Sequence, residues 1–186
     1  MKCWRNCRWT LNKEIKSWIR TVLFSILIAI VILQFFSFFL VSGKSMSPTL
    51  ENNDYLIVKR PFLNYFDYKR NDIIVFETEI KSSINNKKDL VKRIIAIEGD
   101  RIQIKNGQVY LNGKLLNENY IVSKNTEGNI DLIVAKNSFF VMGDNRKVSF
   151  DSRFESIGLI NKGDVLGKVV VKMLPFKKIG DENNEN

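Results

Sequence analysis

No histidine occurs among the 186 residues, so Ser-His-Asp and Cys-His hydrolases, histidine general bases and most catalytic zinc sites cannot be built from this chain. Proton transfer near neutral pH falls to another side chain, and three segments offer candidates. In SGKSMSPTL, Ser45 follows Gly43 and precedes Pro48, a turn that could expose a hydroxyl on a rigid loop. Without histidine, the base for such a nucleophile is a lysine held neutral. Lys92 lies inside the apolar run LVKRIIAI, where burial disfavours the ammonium form. Lowering its pKa from about 10.4 to about 8 costs roughly 3 kcal/mol, which a domain of this size tolerates. Strand alternation puts Lys92 and Arg93 on opposite faces, so only one of them can meet the serine. The third segment, FFVMGDNRKVSFDSR at 139–153, combines turn formers with paired charges. Asp144, Arg146, Asp151 and Arg153 could form ion pairs that fix this loop, and Ser149 and Ser152 offer hydroxyls to orient an amine. Taken singly, a linker serine, a solvated edge-strand lysine and a rigid turn would account for the same residues.

The elements that must position these groups change character along the chain. Thr21 to Gly43 is 23 residues without a charge, about 34 Å as a helix at ~1.5 Å per residue, enough to cross a hydrocarbon core of about 30 Å. Its apolar residues occupy all faces, and the run is about twice the length of a cleaved signal's apolar region. Six basic residues precede it (Lys2, Arg5, Arg8, Lys13, Lys16 and Arg20) against Glu14 alone, giving +5 of the net +9. That asymmetry predicts a cytoplasmic basic leader at 1–20, a transmembrane helix at 21–43 and an extracytoplasmic domain at 44–178. With the excess charge concentrated in the leader, a nucleic-acid partner is not expected. Cys3 and Cys7 also lie in the leader; a lone CxxxC is a weak metal signal, and the outer domain folds without disulfides.

Beyond the anchor, β-branched runs predict strands at 55–59, 72–77, 90–98, 130–135, 138–142 and 164–173. Ile102, Ile104, Val109 and Leu111 alternate with polar residues around Asn106-Gly107, predicting a type I′ hairpin. The polar stretch TEIKSSINNKK at 78–88 reads as a flexible loop and the tail at 179–186 as disordered. RPFLNYFDY at 60–68 carries aromatics that suit either a membrane interface or packing on the core. The expected fold class is mostly β: one N-terminal transmembrane helix followed by an antiparallel β-sheet domain.

The segments SMSPTL, NDIIVFE, VKRIIAIEGD and GDNRKVSFDSR, in this order behind an anchor of this orientation, resemble the type I signal peptidases, membrane-anchored serine proteases with a Ser-Lys dyad. The resemblance covers almost the whole chain. It implies that Ser45 is the nucleophile, Lys92 the general base and Ser149 the hydroxyl that holds the lysine amine, with Arg93, Asp144, Asp151 and Arg153 at structural salt-bridge positions. It implies no cofactor and no metal, secretory preproteins and the lipid bilayer as partners, and specificity for small side chains near the cut; Met46 and Val91, flanking the dyad, are candidate pocket walls. Gly43 stands where some members carry an oxyanion-binding serine, which would leave the Ser45 backbone N–H as the main oxyanion donor. Asn71 replaces a glycine before the NDIIVFE strand, and Ala96 and Glu98 replace a glycine and a proline near the end of the base strand. The short chain is most similar to the compact Gram-positive form. Two rivals differ in what they require: an SOS-repressor-like autoprotease should carry a DNA-binding domain in place of the span, and a non-catalytic assembly factor at the cell surface should have lost a dyad residue.

Overall fold

The computed structural model of the chain describes residues 3–61, 67–81, 87–173 and 176–178. Helix α1 spans Cys3–Phe35, and its apolar portion Glu14–Phe35 is 22 residues long with none of it buried. At ~1.5 Å per residue that portion is about 33 Å, long enough to cross a bilayer. The expected helix through Gly43 is corrected here: Phe36–Leu40 forms strand β1. The sequence FSFFL is rich in aromatics, which suit a pleated strand better than a helix, and β2 (Tyr55–Lys59) offers it an edge. Residues 1–36 and 37–186 form separate compact units.

Within the second unit, β1, β2, β3 (Ile73–Lys81), β4 (Lys87–Ile97), β9 (Ser138–Met142), β10 (Ile160–Asn161), β11 (Val165–Met173) and β12 (Phe176–Lys178) make an eight-stranded sheet. Its order is β1-β2-β11-β3-β4-β9-β10, with β12 also on β11. The β2·β11, β11·β3, β3·β4 and β4·β9 pairings are antiparallel. A second sheet of four strands runs β7 (Lys114–Leu115), β6 (Gln108–Leu111), β5 (Arg101–Lys105) and β8 (Ile130–Ile133). Asn106 and Gly107 join β5 to β6 with φ of 51° and 75°, the backbone that a type I′ turn requires.

Strand alternation divides the core. One cluster gathers Val41, Met46, Leu50, Leu56, Val58, Ile73, Val75 and Val169 under the turn after β1. Another places Tyr68, Ile74, Phe76, Ile94 and Val141 together, and a third joins Ile95, Ala96 and Phe140 of the large sheet to Ile102, Ile104 and Val109 of the small one. The β4·β9 ladder shifts register between Ile94 and Ala96, a bulge immediately beyond Lys92 and Arg93.

The expected loop at 78–88 is also corrected. Strand β3 continues to Lys81 and β4 begins at Lys87, with Thr78 opposite Lys88 and the Thr78 hydroxyl donating to the Lys88 carbonyl at 2.9 Å. A polar composition does not end a ladder whose hydrogen bonds are already in register. Residues 82–86 lie outside the described residues, as do 62–66 of the aromatic segment and the tail at 179–186. Tyr68, at the end of that aromatic segment, packs its ring edge-on to Phe139 at 5.4 Å between centroids, on the core side.

Candidate active site

The turn 45–49 and the middle of β4 bring the two central groups together: Lys92 Nζ donates to Ser45 Oγ at 2.6 Å. Lys92 is 2% exposed, and burial lowers its pKa from the ordinary 10.5 to about 8. Asp151 and Asp144 oppose that shift, while Lys88 and Arg153 reinforce it. The amine is thus made basic enough to take a proton and acidic enough to be partly neutral near pH 8. Ser45 itself is half-buried, and among the described residues no acceptor is bonded to its backbone N–H. Its carbonyl accepts from Asn145 N–H at 3.0 Å, so the Ser45 peptide is clasped by the 143–153 loop.

Buried charge holds that loop. Arg93, next to Lys92 on β4, grips Asp144 with both arms, Nε to Oδ1 at 2.8 Å and Nη2 to Oδ2 at 2.6 Å. The same carboxylate accepts from the Thr49 hydroxyl at 2.5 Å, which ties the serine's own turn to the loop. Arg153 pairs with Asp151 at 2.8 Å and reaches back to the Arg146 and Ser149 carbonyls. Asp151 also accepts from Gly143 N–H at 3.0 Å. Gly143 is required by close approach: a Cβ there would come within 2.6 Å of Ser149 Cβ and nearer still to Ser149 Oγ and the Ser45 carbonyl.

Several expected site residues are placed differently from the simplest reading. Arg146 bonds neither acidic neighbour in its loop, and pairs with Glu118 from the segment after β7. Ser152 orients no amine; its hydroxyl accepts from Val141 N–H at 3.0 Å and pins the loop to β9. The Ser149 hydroxyl is buried beside Gly143 but, among the described residues, makes no hydrogen bond to Lys92 or to any other group. Met46 is 1% exposed inside the core cluster under the turn, and Val91 is half-buried against the same cluster. Asn71 takes φ 70°, a left-handed conformation that asparagine tolerates where the resemblance expects glycine. Sequence reasoning missed Thr49, Glu118 and Tyr120. The Tyr120 ring lies 4.0 Å from the Arg93 guanidinium. Only Thr49, four residues after Ser45, lay close enough to a recognised motif to be found. Among the described residues no cluster of acidic or cysteine side chains could hold a metal.

Comparison with known proteins identifies the family. Residues 15–174 match the family model described as signal peptidase, peptidase S26. A signal peptidase I P from Bacillus subtilis subsp. natto is 37% identical over 180 residues, covering 90% of this chain and 94% of that protein. A signal peptidase I from Bacillus caldolyticus is 38% identical over 157 residues, covering 77% and 82%. A solved signal peptidase I from Enterococcus faecalis shares 30% identity, with a TM-score of 0.43, over 55% of this chain and 97% of that one. With a family model spanning most of its length and relatives matched nearly end to end, the chain belongs to the signal peptidase family, peptidase S26, and is a signal peptidase I enzyme.

Proposed function

We propose that this enzyme removes N-terminal signal peptides from secreted preproteins with a Ser45-Lys92 dyad, anchored in the membrane by the helical apolar segment ending at Phe35. The observation that carries the reading is the 2.6 Å contact between the Lys92 amine and the Ser45 hydroxyl, in a pocket that strips water from the amine. Neutral Lys92 takes the Ser45 proton as Oγ attacks the scissile carbonyl, and returns it to the leaving amine as the C–N bond breaks. The same amine then deprotonates the water that releases the acyl group. The unclaimed Ser45 N–H is the oxyanion donor, and the buried Ser149 hydroxyl is available to orient the amine once it is neutral. The basic leader favours an inside amino terminus and an outer catalytic unit. In that arrangement enzyme and signal peptide share one bilayer, which raises their effective concentration. Retention of both dyad residues favours the enzyme over an assembly factor.

The test is cleavage of a model preprotein by purified enzyme in detergent. Ser45→Ala and Lys92→Ala are each expected to abolish cleavage, and the double variant to be no worse than either alone, because the two act as one unit. Substantial activity in Lys92→Ala would remove the lysine as base.

A further inference from the structure

The buried ion pair between Arg146 and Glu118 is not explained by stability alone. Their side chains are 1% and 4% exposed, and the desolvation cost of such a pair commonly equals or exceeds its Coulombic gain. Its geometry does more than neutralise charge. Arg146 Nε donates to the Gly143 carbonyl at 3.1 Å, while Nη1 is shared between Glu118 Oε2 at 2.9 Å and the Thr126 hydroxyl at 2.8 Å. Nη2 completes the fork on Glu118 Oε1, which also accepts from the Tyr120 hydroxyl at 2.7 Å. Tyr120 in turn places its ring 4.0 Å from the Arg93 guanidinium, whose two arms hold Asp144. Residues 118–126, which join β7 to β8 of the small sheet, therefore fix both arginines that grip Gly143 and Asp144. Those two residues lead directly to Asn145, whose N–H holds the Ser45 carbonyl, and the missing side chain of Gly143 leaves the space that the Ser149 hydroxyl occupies.

We propose that Glu118 is a positioning residue for peptide-bond hydrolysis: its carboxylate locks the Arg146 fork onto the Gly143 carbonyl, and thereby sets the backbone against which Ser45 and Ser149 are aligned. The proposal rests on the Ser45-Lys92 reading above. The small sheet is on this view part of the catalytic apparatus, although none of its described side chains is bonded to Ser45 or Lys92. A displacement of the reacting groups by a fraction of an ångström to an ångström is worth up to about a hundredfold in turnover. The loss expected from Glu118→Gln is about tenfold in kcat, with KM within about twofold, since ground-state binding does not involve this clamp.

The experiment measures kcat and KM per active site for wild type, Ser45→Ala, Glu118→Gln, Arg146→Lys and the Glu118→Gln/Arg146→Lys double variant of the full chain in detergent, together with thermal unfolding. Thr126→Val and Tyr120→Phe, which keep volume and remove one hydroxyl each, serve if Glu118→Gln fails to fold; each is expected to lower kcat about threefold. The proposal is supported if kcat falls at constant KM and the double variant is no slower than Arg146→Lys alone. It is overturned if unfolding temperature drops while kcat per active site is unchanged, if KM alone rises, or if the two losses multiply. If Ser45→Ala still cleaves, the dyad reading itself has failed. If Ser45→Ala is inactive and Glu118→Gln has full turnover, the clamp alone has failed.

Discussion

The two sheets use the same chemical device in opposite settings. On the small sheet, Arg101 and Asp131 form a forked pair with side chains 56% and 49% exposed. At the loop after β9, Arg93 with Asp144 and Arg153 with Asp151 form similar forks at 9% and 1%, and 6% and 0%. Water competes for the first pair and scarcely reaches the others, so identical hydrogen bonds differ in consequence. The exposed pair decorates a ladder that hydrophobic alternation already specifies. The buried pairs determine where Asp144, Asn145 and Ser149 sit, because each arginine left alone there would be a charge without compensation. Around Lys92 this frame of paired charges leaves an amine whose burial outweighs the nearby carboxylates.

The sharpest way to break this contrast is to neutralise one buried carboxylate. Asp144→Asn is expected to cost about 3–5 kcal/mol in denaturant unfolding, since Arg93 and the Thr49 hydroxyl would lose the carboxylate both now use. A loss below about 1 kcal/mol would place that pair with the exposed one.

A change of opposite sign is expected at the lysine. Its folded pKa of about 8 lies below the ordinary 10.5, so between those values the unfolded chain binds more protons and wild-type stability rises with pH. Below that window the burial of a charged lysine costs about 3 kcal/mol. Lys92→Met should therefore be inactive yet more stable than wild type by up to that amount at pH 6–7, with the gap closing as pH approaches 10.5. Paired urea titrations at several pH values measure it, and a pH-independent gap would contradict a shifted lysine. Wild-type turnover should climb through an apparent pKa near 8, and a profile flat from acid to pH 9 would argue against a titrating amine.

Ser149→Ala sharpens the comparison from within the buried loop. Its hydroxyl has no hydrogen-bond partner among the described residues to lose, so stability should hold while turnover falls roughly tenfold or more if the hydroxyl orients the neutral amine. Full turnover in a stable variant would assign it to packing alone. The smallest effect is expected at Arg101→Ala, which should leave both the unfolding midpoint and kcat within experimental error because its pair is exposed to water.

What could be read from the chain divides along the same line. Strands β2 and β9 fall where alternation and β-branched runs place them, and the Asn106-Gly107 hairpin follows from local turn chemistry. The pairing of Ser45 with Lys92, which the structure brings to 2.6 Å, was open to sequence reading because the absence of histidine narrows the chemistry and because their segments resemble a known pattern. Strand β1 was not, since FSFFL continues the apolar run of α1 without a break, and its aromatic bias decides nothing until β2 offers a partner. Glu118 sits in the polar stretch NEN, with no periodicity to mark it, and its partner lies 28 residues away. Thr49 and Asp144 are 95 residues apart. Side chains that meet across such distances are specified by packing, which a local pattern does not contain.

Strand β4 works as a ruler with one-residue graduations. Val91, Lys92 and Arg93 are consecutive, and each is assigned to a different neighbour: the cluster beneath the serine turn, the serine hydroxyl and Asp144. One added or lost residue between Ile73's partner Arg93 and Phe76's partner Leu90 would hand every neighbour the wrong side chain. Two positions further on, the register shift between Ile94 and Ala96 already accommodates an irregular count. Length variation arising beyond that point can be absorbed by the bulge, whereas from Val91 to Arg93 a substitution changes one contact and an insertion changes all three.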